Sequence, residues 1–310
     1  MKLNTPANLV AAVFLLLALM LPFFGLADYW LYVVTIGFYY ALLASSWSLL
    51  VGYVGRISFA QAAMSGFGAY VALLTASGLG LSPVPGILIG ALAAGAVGIV
   101  VGALTLRLHG AYLGLTTIAL AEILRITATA EHQLTRGTRG LQAPPLWEGI
   151  GQTGYYYVFL GVLVASLALM LWLLHSRVGL FFQAIREDED GAASLGVRVT
   201  LWKVLAFALS TAFAGLAGGL YAHFIQLIAP SMMSMQEMGY ILSMAVIGGF
   251  TNVVYAALGG VLLQFLLEAL REIGEWRLVI FGATAILVLR FAPNGIFGSL
   301  DAWATTRRRS

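Results

Sequence analysis

The 310-residue sequence predicts an all-α integral membrane protein: a polytopic helical bundle of about ten transmembrane segments, one of them broken or re-entrant, in a single membrane domain over 1–310. Three observations carry this reading. Hydrophobic residues make up 61% of the chain and charged residues 9%, with a mean hydropathy of +0.94. An ordinary globular domain is about 25% charged, so a soluble fold could not cover its surface from this composition. Several apolar runs reach the about 20 residues that cross a bilayer, and Gly, Pro and charge punctuate them.

The runs lie at 8–26, 30–50, 58–78, 85–106, 110–130, 154–175, 201–228, 234–250, 254–273 and 277–292. The first has one lysine ahead of it and leaves through "GLADYW", which lacks a small-residue cleavage pattern. It therefore reads as a span and not as a signal peptide. The third opens with "SFAQAAMSGFGAY", small and polar, and is the segment expected to enter as a broken helix, a geometry tolerated at depth only when buried among others. If ten spans alternate, Lys2, Arg56, Arg107, Arg177, Arg186, Arg198, Lys203 and Arg307, Arg308 and Arg309 share one side. Arg136, Arg139, Arg271 and Arg277 fall on the other. The excess predicts that both termini and the 176–200 loop lie in the cytoplasm. Segment 131–153 becomes the longest outer loop, and its Pro144-Pro145 and scattered glycines predict turns. Two glycine-rich passages, 51–70 and 245–262, occupy comparable places in the two halves, as interrupted helices do in transporters built from internal repeats.

One stretch stands apart: "AIREDEDGAASLGVR", from Ala184 to Arg198. Its acids, Glu187, Asp188, Glu189 and Asp190, are consecutive, so on a helix they spread around the surface and do not converge on a metal. Nothing beside them would desolvate a catalytic carboxylate. A solvated loop is the plain alternative. The favoured reading is a docking helix: Ala184, Ile185, Ala192, Ala193 and Leu195 supply small, apolar contact surface, the charges set partner choice, and Gly196 ends the helix.

With that stretch in view, the sequence resembles the permease subunits of branched-chain amino-acid ABC importers, the LivM type. The resemblance spans nearly the whole chain and rests on "GYVGRISFAQAAMSGFGAY" (52–70), "RLHGAYLGLTTIALAEILR" (107–125), "AIREDEDGAASLGV" (184–197), "KVLAFALSTAFAGLAGGLYA" (203–222) and "RFAPNGIFG" (290–298). It implies that the loop at about 177–200 docks a cytoplasmic ATPase, with Asp190, Gly191, Ala192, Ala193 and Gly196 in the docking motif. Ala184, Ile185, Arg186 and Glu187 complete the candidate docking set. It also implies a second related permease, two ABC ATPases that bind ATP and Mg, an extracytoplasmic solute-binding protein, surrounding lipid, and no nucleic acid. Leucine, isoleucine or valine is the expected cargo; urea, short amides or other amino acids are the alternatives within the same machine. Two places depart from the family pattern, Ala60-Gln61 and the Thr251, Asn252 and Tyr255 of "IGGFTNVVYAALGG". Both lie near the expected translocation path.

The remaining polar residues fit a conduit better than an enzyme. Glu122 and Arg125, three apart on one helix face, read as a structural ion pair. Glu122 is also the carboxylate an ion-coupled secondary transporter would need, and that is the rival from another class. Candidate path residues are Ser58, Gln61, Ser65, Thr116, Thr117 and Asn252, with interhelical hydrogen bonding as the reading to beat for each. His109, His132, His175 and His223 are scattered, the chain has no cysteine, and no metal site is expected. No Gly-x-x-x-x-Gly-Lys-Ser/Thr loop occurs, so ATP work falls to other chains and no cofactor is expected here.

Overall fold

The structure is a computed structural model that describes residues 6–299, apart from 26, 106, 107, 109, 275 and 293. Lys2, Arg107, His109, Arg307, Arg308 and Arg309 lie outside the described residues, as does the side chain of Arg277. The described chain is helical almost throughout: α1 Pro6–Met20, α2 Asp28–Val54, α3 Gln61–Leu79, α4 Pro83–Leu104, α5 Ala111–Ala130, α6 Gln152–Leu174, α7 Arg177–Glu187, α8 Glu189–Ser194, α9 Val199–Ile225, α10 Met235–Gly248, α11 Val253–Ala269 and α12 Trp276–Phe291. Ten of these coincide with the predicted runs. Seven helices are long and apolar enough to cross a membrane, and an eighth span results if the pair α10 and α11, bent by 118°, counts as one. The expected ten spans are thus ten helices: α1, α10 and α11 are shorter than a full crossing, and α12, at 16 residues, reaches span length only as part of Val279–Ser299.

Helix α2 is the central post. It is apolar on every side, the pattern of a helix surrounded by protein, and Ala41, Leu43, Leu49 and their neighbours are fully buried. Its buried hydroxyls close locally or onto neighbours: Thr35 donates to the Leu31 carbonyl at 2.7 Å, Ser45 to the Val253 carbonyl at 2.9 Å and Ser48 to the Phe250 carbonyl at 2.6 Å. The last two tie α2 to the bend: the Phe250 carbonyl lies in the non-helical stretch between α10 and α11, and the Val253 carbonyl opens α11.

Helix α3 begins inside the bundle. Gln61, its first residue, donates to Ser46 Oγ at 2.5 Å and to the Ser210 carbonyl at 3.1 Å. Ser46 lies eight residues before the end of α2, so α3 starts about 12 Å above that end. The non-helical stretch 55–60 covers the difference; α3 itself is one continuous 19-residue helix of span length, and the bent pair is α10 with α11. The bend at 249–252 packs against the same end of α2, so both glycine-rich passages supply helix breaks there.

Helices α3, α4 and α9 pack backbone to backbone. A Cβ at Gly68 would collide with the Gly215 backbone, and one at Gly218 with the Ser65 carbonyl. Small residues are what allow helices to approach this closely without a hydrophobic drive in lipid.

At the end of α2 near Asp28, the segment 131–151 is ordered. Leu141 and Gln142 pair antiparallel with Ile228 and Leu227. His223 Nδ1 donates to the Pro144 carbonyl at 2.8 Å, and Tyr155 bridges the His223 carbonyl and the Leu146 amide. The loop carries a short helical turn at Gly137–Arg139 and no further span.

Candidate functional site

At the opposite end of α2, α7 and α8 form an elbow against the bundle. Ser176 starts α7 by accepting the Val178 amide at 3.2 Å. Phe182 and Ile185 face inward and are buried, and Phe181 stacks on Trp202 of α9 at 4.8 Å. Asp188 breaks the helix in extended backbone and caps α8, its Oδ1 accepting the Gly191 amide at 3.1 Å. Gly196 then reverses the chain at φ +85°, a left-handed conformation that suits glycine. The single docking helix read from sequence is therefore two, because an aspartate in mid-run caps a new helix start more favourably than it continues the old one.

The acid run divides by role. Glu187 and Asp190 face solvent, and Asp188 caps. Glu189 turns inward and pairs with both Arg56 and Lys203. Arg56 also donates to the Leu108 carbonyl at 2.7 Å, and Arg186 donates to the Gly52 carbonyl. Arg56 and Lys203 are 7% and 4% exposed, so each depends on Glu189 to offset its desolvation. Through these bonds the elbow is fastened to α2, to the approach to α5 and to the start of α9. Sequence reasoning used Arg56 and Lys203 only for orientation and left Glu189 among surface acids. The available signal was Lys203 itself, a lysine one turn inside an apolar run, which demands a partner.

The expected contact set is split by burial. Ile185 and Ala192 are buried in the chain's own core and Ala184 is half-buried, so they support the elbow from within. Arg186, Glu187, Asp190, Ala193 and Gly196 are exposed, and Leu195 is 87% exposed. Leu195, Gly196, Val197 and Arg198 border a 340 Å³ groove floored by Phe181 and Trp202.

The expected path residues are mostly hydrogen-bonded between helices. Ser58, Gln61, Ser65 and Thr117 are buried. Thr117 Oγ1 accepts the Phe59 amide at 3.0 Å, and Ser65 shares a 3.1 Å bond with Tyr39. Asn252 caps α11 through the Val254 amide at 2.9 Å. These groups hold the breaks in place and present no unpaired polar atom to a passage; Thr116, exposed on α5, differs from them in facing outward.

Glu122 and Arg125 do pair, Arg125 Nε donating to Glu122 Oε2 at 2.9 Å. Their side chains are 45% and 35% exposed on the outer face of α5, away from the bundle interior. The carboxylate inside the bundle is instead Glu237, at the start of α10, which hydrogen-bonds Tyr40 at 2.7 Å. Its run, "SMMSMQEMGY", reads as a capped helix start, which conceals its depth. For the α5 pair we expect Glu122→Gln to lower membrane yield and Arg125→Gln added to it to restore most of the loss, because removing one partner strands the other. Intact yield with abolished uptake in Glu122→Gln would give the pair a transport role instead.

Among the described residues no group of three His, Cys, Asp or Glu could hold a metal. The fold and the elbow together define a multi-pass helical membrane protein with a two-helix elbow packed against one end of the bundle. Residues 29–289 match the family described as the branched-chain amino acid transport system permease component. The chain is 27% identical to the branched-chain amino acid permease protein LivM of Salmonella typhimurium, over 85% of this chain and 69% of that one. It is 30% identical to the permease protein LivH of Escherichia coli, over 86% of this chain and 93% of that one. A probable branched-chain permease LivM of Methanocaldococcus jannaschii is 23% identical over 68% of this chain. No solved structure gives a significant match. The chain belongs to the branched-chain amino acid transport permease family.

Proposed function

We propose that this chain is a LivM-type membrane subunit of an ATP-driven importer for leucine, isoleucine and valine, and that it catalyses no chemistry itself. The family match along the span-bearing part of the chain carries this reading, and the fastened elbow supports it. A second, related permease pairs with this one. Two ATPases, holding ATP and Mg, dock below, one of them on the exposed ridge Ala193–Gly196 of the 177–200 segment. Because the elbow is tied to α2, to Arg56 just beyond it and to α9, a push on it reaches the spans and biases a two-state arrangement.

Charge supports the orientation. Arg56, Arg177, Arg186, Arg198 and Lys203 gather at the elbow end, and Arg136, Arg139 and Arg271 at the other, so the elbow lies in the cytoplasm. The α12 end, beside Gly249, is on the elbow side. Ala18 near the end of α1 meets Tyr156 near the start of α6, a contact that supports the same side for the beginning of α1. Both termini are then cytoplasmic, in the inner membrane. The 740 Å³ basin of His132, Arg136, Thr138 and Arg139 faces the solute-binding protein.

Two measurements test this. In proteoliposomes holding the full importer and its binding protein, labelled leucine, isoleucine and valine should accumulate with ATP; accumulation of urea or acetamide alone would move the cargo to the amide class. Thr138→Cys should react with an impermeant thiol reagent in intact cells, against a chain with no native cysteine. Labelling confined to inverted vesicles would reverse the orientation.

A further inference from the structure

Glu237 sits halfway through the bundle. Its partner Tyr40 is twelve residues from one end of α2 and fourteen from the other, about 18 Å and 21 Å along the helix. The chain reaches this depth without a helix: after α9 it passes through Leu227–Ile228 and a short turn at Pro230–Met233 before α10 begins. Irregular backbone at membrane depth is stable where protein buries it or where it borders a watered cavity. Here it borders a 220 Å³ cavity that runs from Glu237, Tyr39 and Tyr221 past Ser231 and Met232 to Ile225 and Leu227. One water needs about 15 Å³ at most, so the space admits a small solute.

Helix capping does not account for the carboxylate. In a reciprocal helix cap, Glu237 would bond the Ser234 amide. That amide already donates to the Ser231 carbonyl at 3.0 Å, and Ser234 Oγ alone caps the helix by accepting the Glu237 amide at 3.3 Å. One carboxylate oxygen accepts from Tyr40, and among the described residues no donor meets the other and no basic side chain pairs with it. Beside it, Tyr39 and Tyr221 stack at 4.2 Å, and aromatic faces attract cations. A carboxylate and aromatic rings around a small cavity are the components of an ammonium site.

We propose that Glu237, with Tyr39, Tyr40 and Tyr221, forms a midway binding site for the ammonium group of an amino-acid cargo. The site rests on the importer reading above and deepens it: the solute-binding protein selects the cargo, and this pocket replaces the water around its positive end while it crosses. Urea and simple amides carry no such charge and would gain nothing from it.

The test uses a thiol at the exposed Ser231 in the otherwise cysteine-free chain, assembled with its partner subunits in detergent. Reaction rates are compared for a cationic ethylammonium and an anionic ethylsulfonate thiosulfonate reagent, each normalised to a small free thiol. In Ser231→Cys the cationic reagent should react at least fivefold faster. Adding Glu237→Gln should bring the ratio close to one, whereas Glu237→Asp should keep most of it. Equal rates in Ser231→Cys alone would overturn the site, which then holds a permanently protonated, hydrogen-bonded acid; this reading does not require the glutamine variant to fold. In transport, Glu237→Gln should cut leucine uptake at least tenfold with ATPase stimulation by loaded binding protein within twofold of wild type. Leucine uptake within twofold of wild type in that variant overturns the site and leaves the importer standing. A wild-type complex that carries only solutes without an ammonium group overturns both.

Discussion

Ala193→Trp is expected to abolish uptake while the permease reaches the membrane at wild-type yield. Ala193 is exposed on α8 and Leu195 beside it is almost fully so, so an indole there displaces nothing within this chain. Loss of transport can then come only from a partner that covers the ridge. Gly196→Val tests the same ridge by another route. No atom lies within 4 Å of where its Cβ would stand, so the only penalty is the left-handed backbone, roughly 1–2 kcal/mol for a residue with a side chain. That turn sets the direction in which Leu195 is presented. In both variants the ATPase should wash off during purification, or lose its stimulation by loaded binding protein. Asp188→Asn should do little, since asparagine caps a helix as well as aspartate. If both bulky variants transport normally with the ATPase bound, the elbow is only a connector.

Glu189→Ala should weaken the elbow's attachment from inside. It leaves Arg56 and Lys203, both nearly buried, without their shared carboxylate. Stranding a buried charge costs about 3 kcal/mol or more; the partial exposure of Glu189 itself places this case toward the lower end. We expect uptake to fall more than tenfold and the purified complex to melt at lower temperature. Glu187→Ala, two residues away and facing solvent, should shift stability by no more than about 0.5 kcal/mol. Equal behaviour of the two alanine variants would show that the inward pair does not hold the elbow.

Much of this architecture is legible in the sequence because lipid imposes a simple rule. Backbone polar groups must be satisfied within each segment, so apolar runs become helices, and all ten runs do. The broken start of α3 is legible for the same reason, since "SFAQAAMSGFGAY" is too polar to face lipid. The break between α10 and α11 is legible as the gap between two apolar runs, but its 118° bend is not, because that geometry depends on Ser45 and Ser48, some two hundred residues earlier. The elbow is visible as a charged, small-residue island, but its division into two helices and the inward turn of Glu189 are not. Arg56 is 133 residues from Glu189 in sequence, and nothing local reports that they meet. Glu237 is obscured differently: near a serine at a helix start, an acid looks like a cap, and its depth follows only from its contact with the middle of α2.

The short helices α10 and α11 also constrain how the protein is made. At 14 and 17 residues they extend about 21 Å and 26 Å, and the hydrocarbon layer is about 30 Å thick. Neither can settle across a bilayer on its own as it leaves the ribosome. What seats them is α2, along which α11 lies with Gly260 against Ala41 and Val261 against Gly37. We therefore expect ordered insertion, with α2 in place as a template before residues 235–269 settle: a charge that displaces α2 should leave the 235–269 segment open to protease in isolated membranes, and protection equal to wild type would show that the pair seats without it.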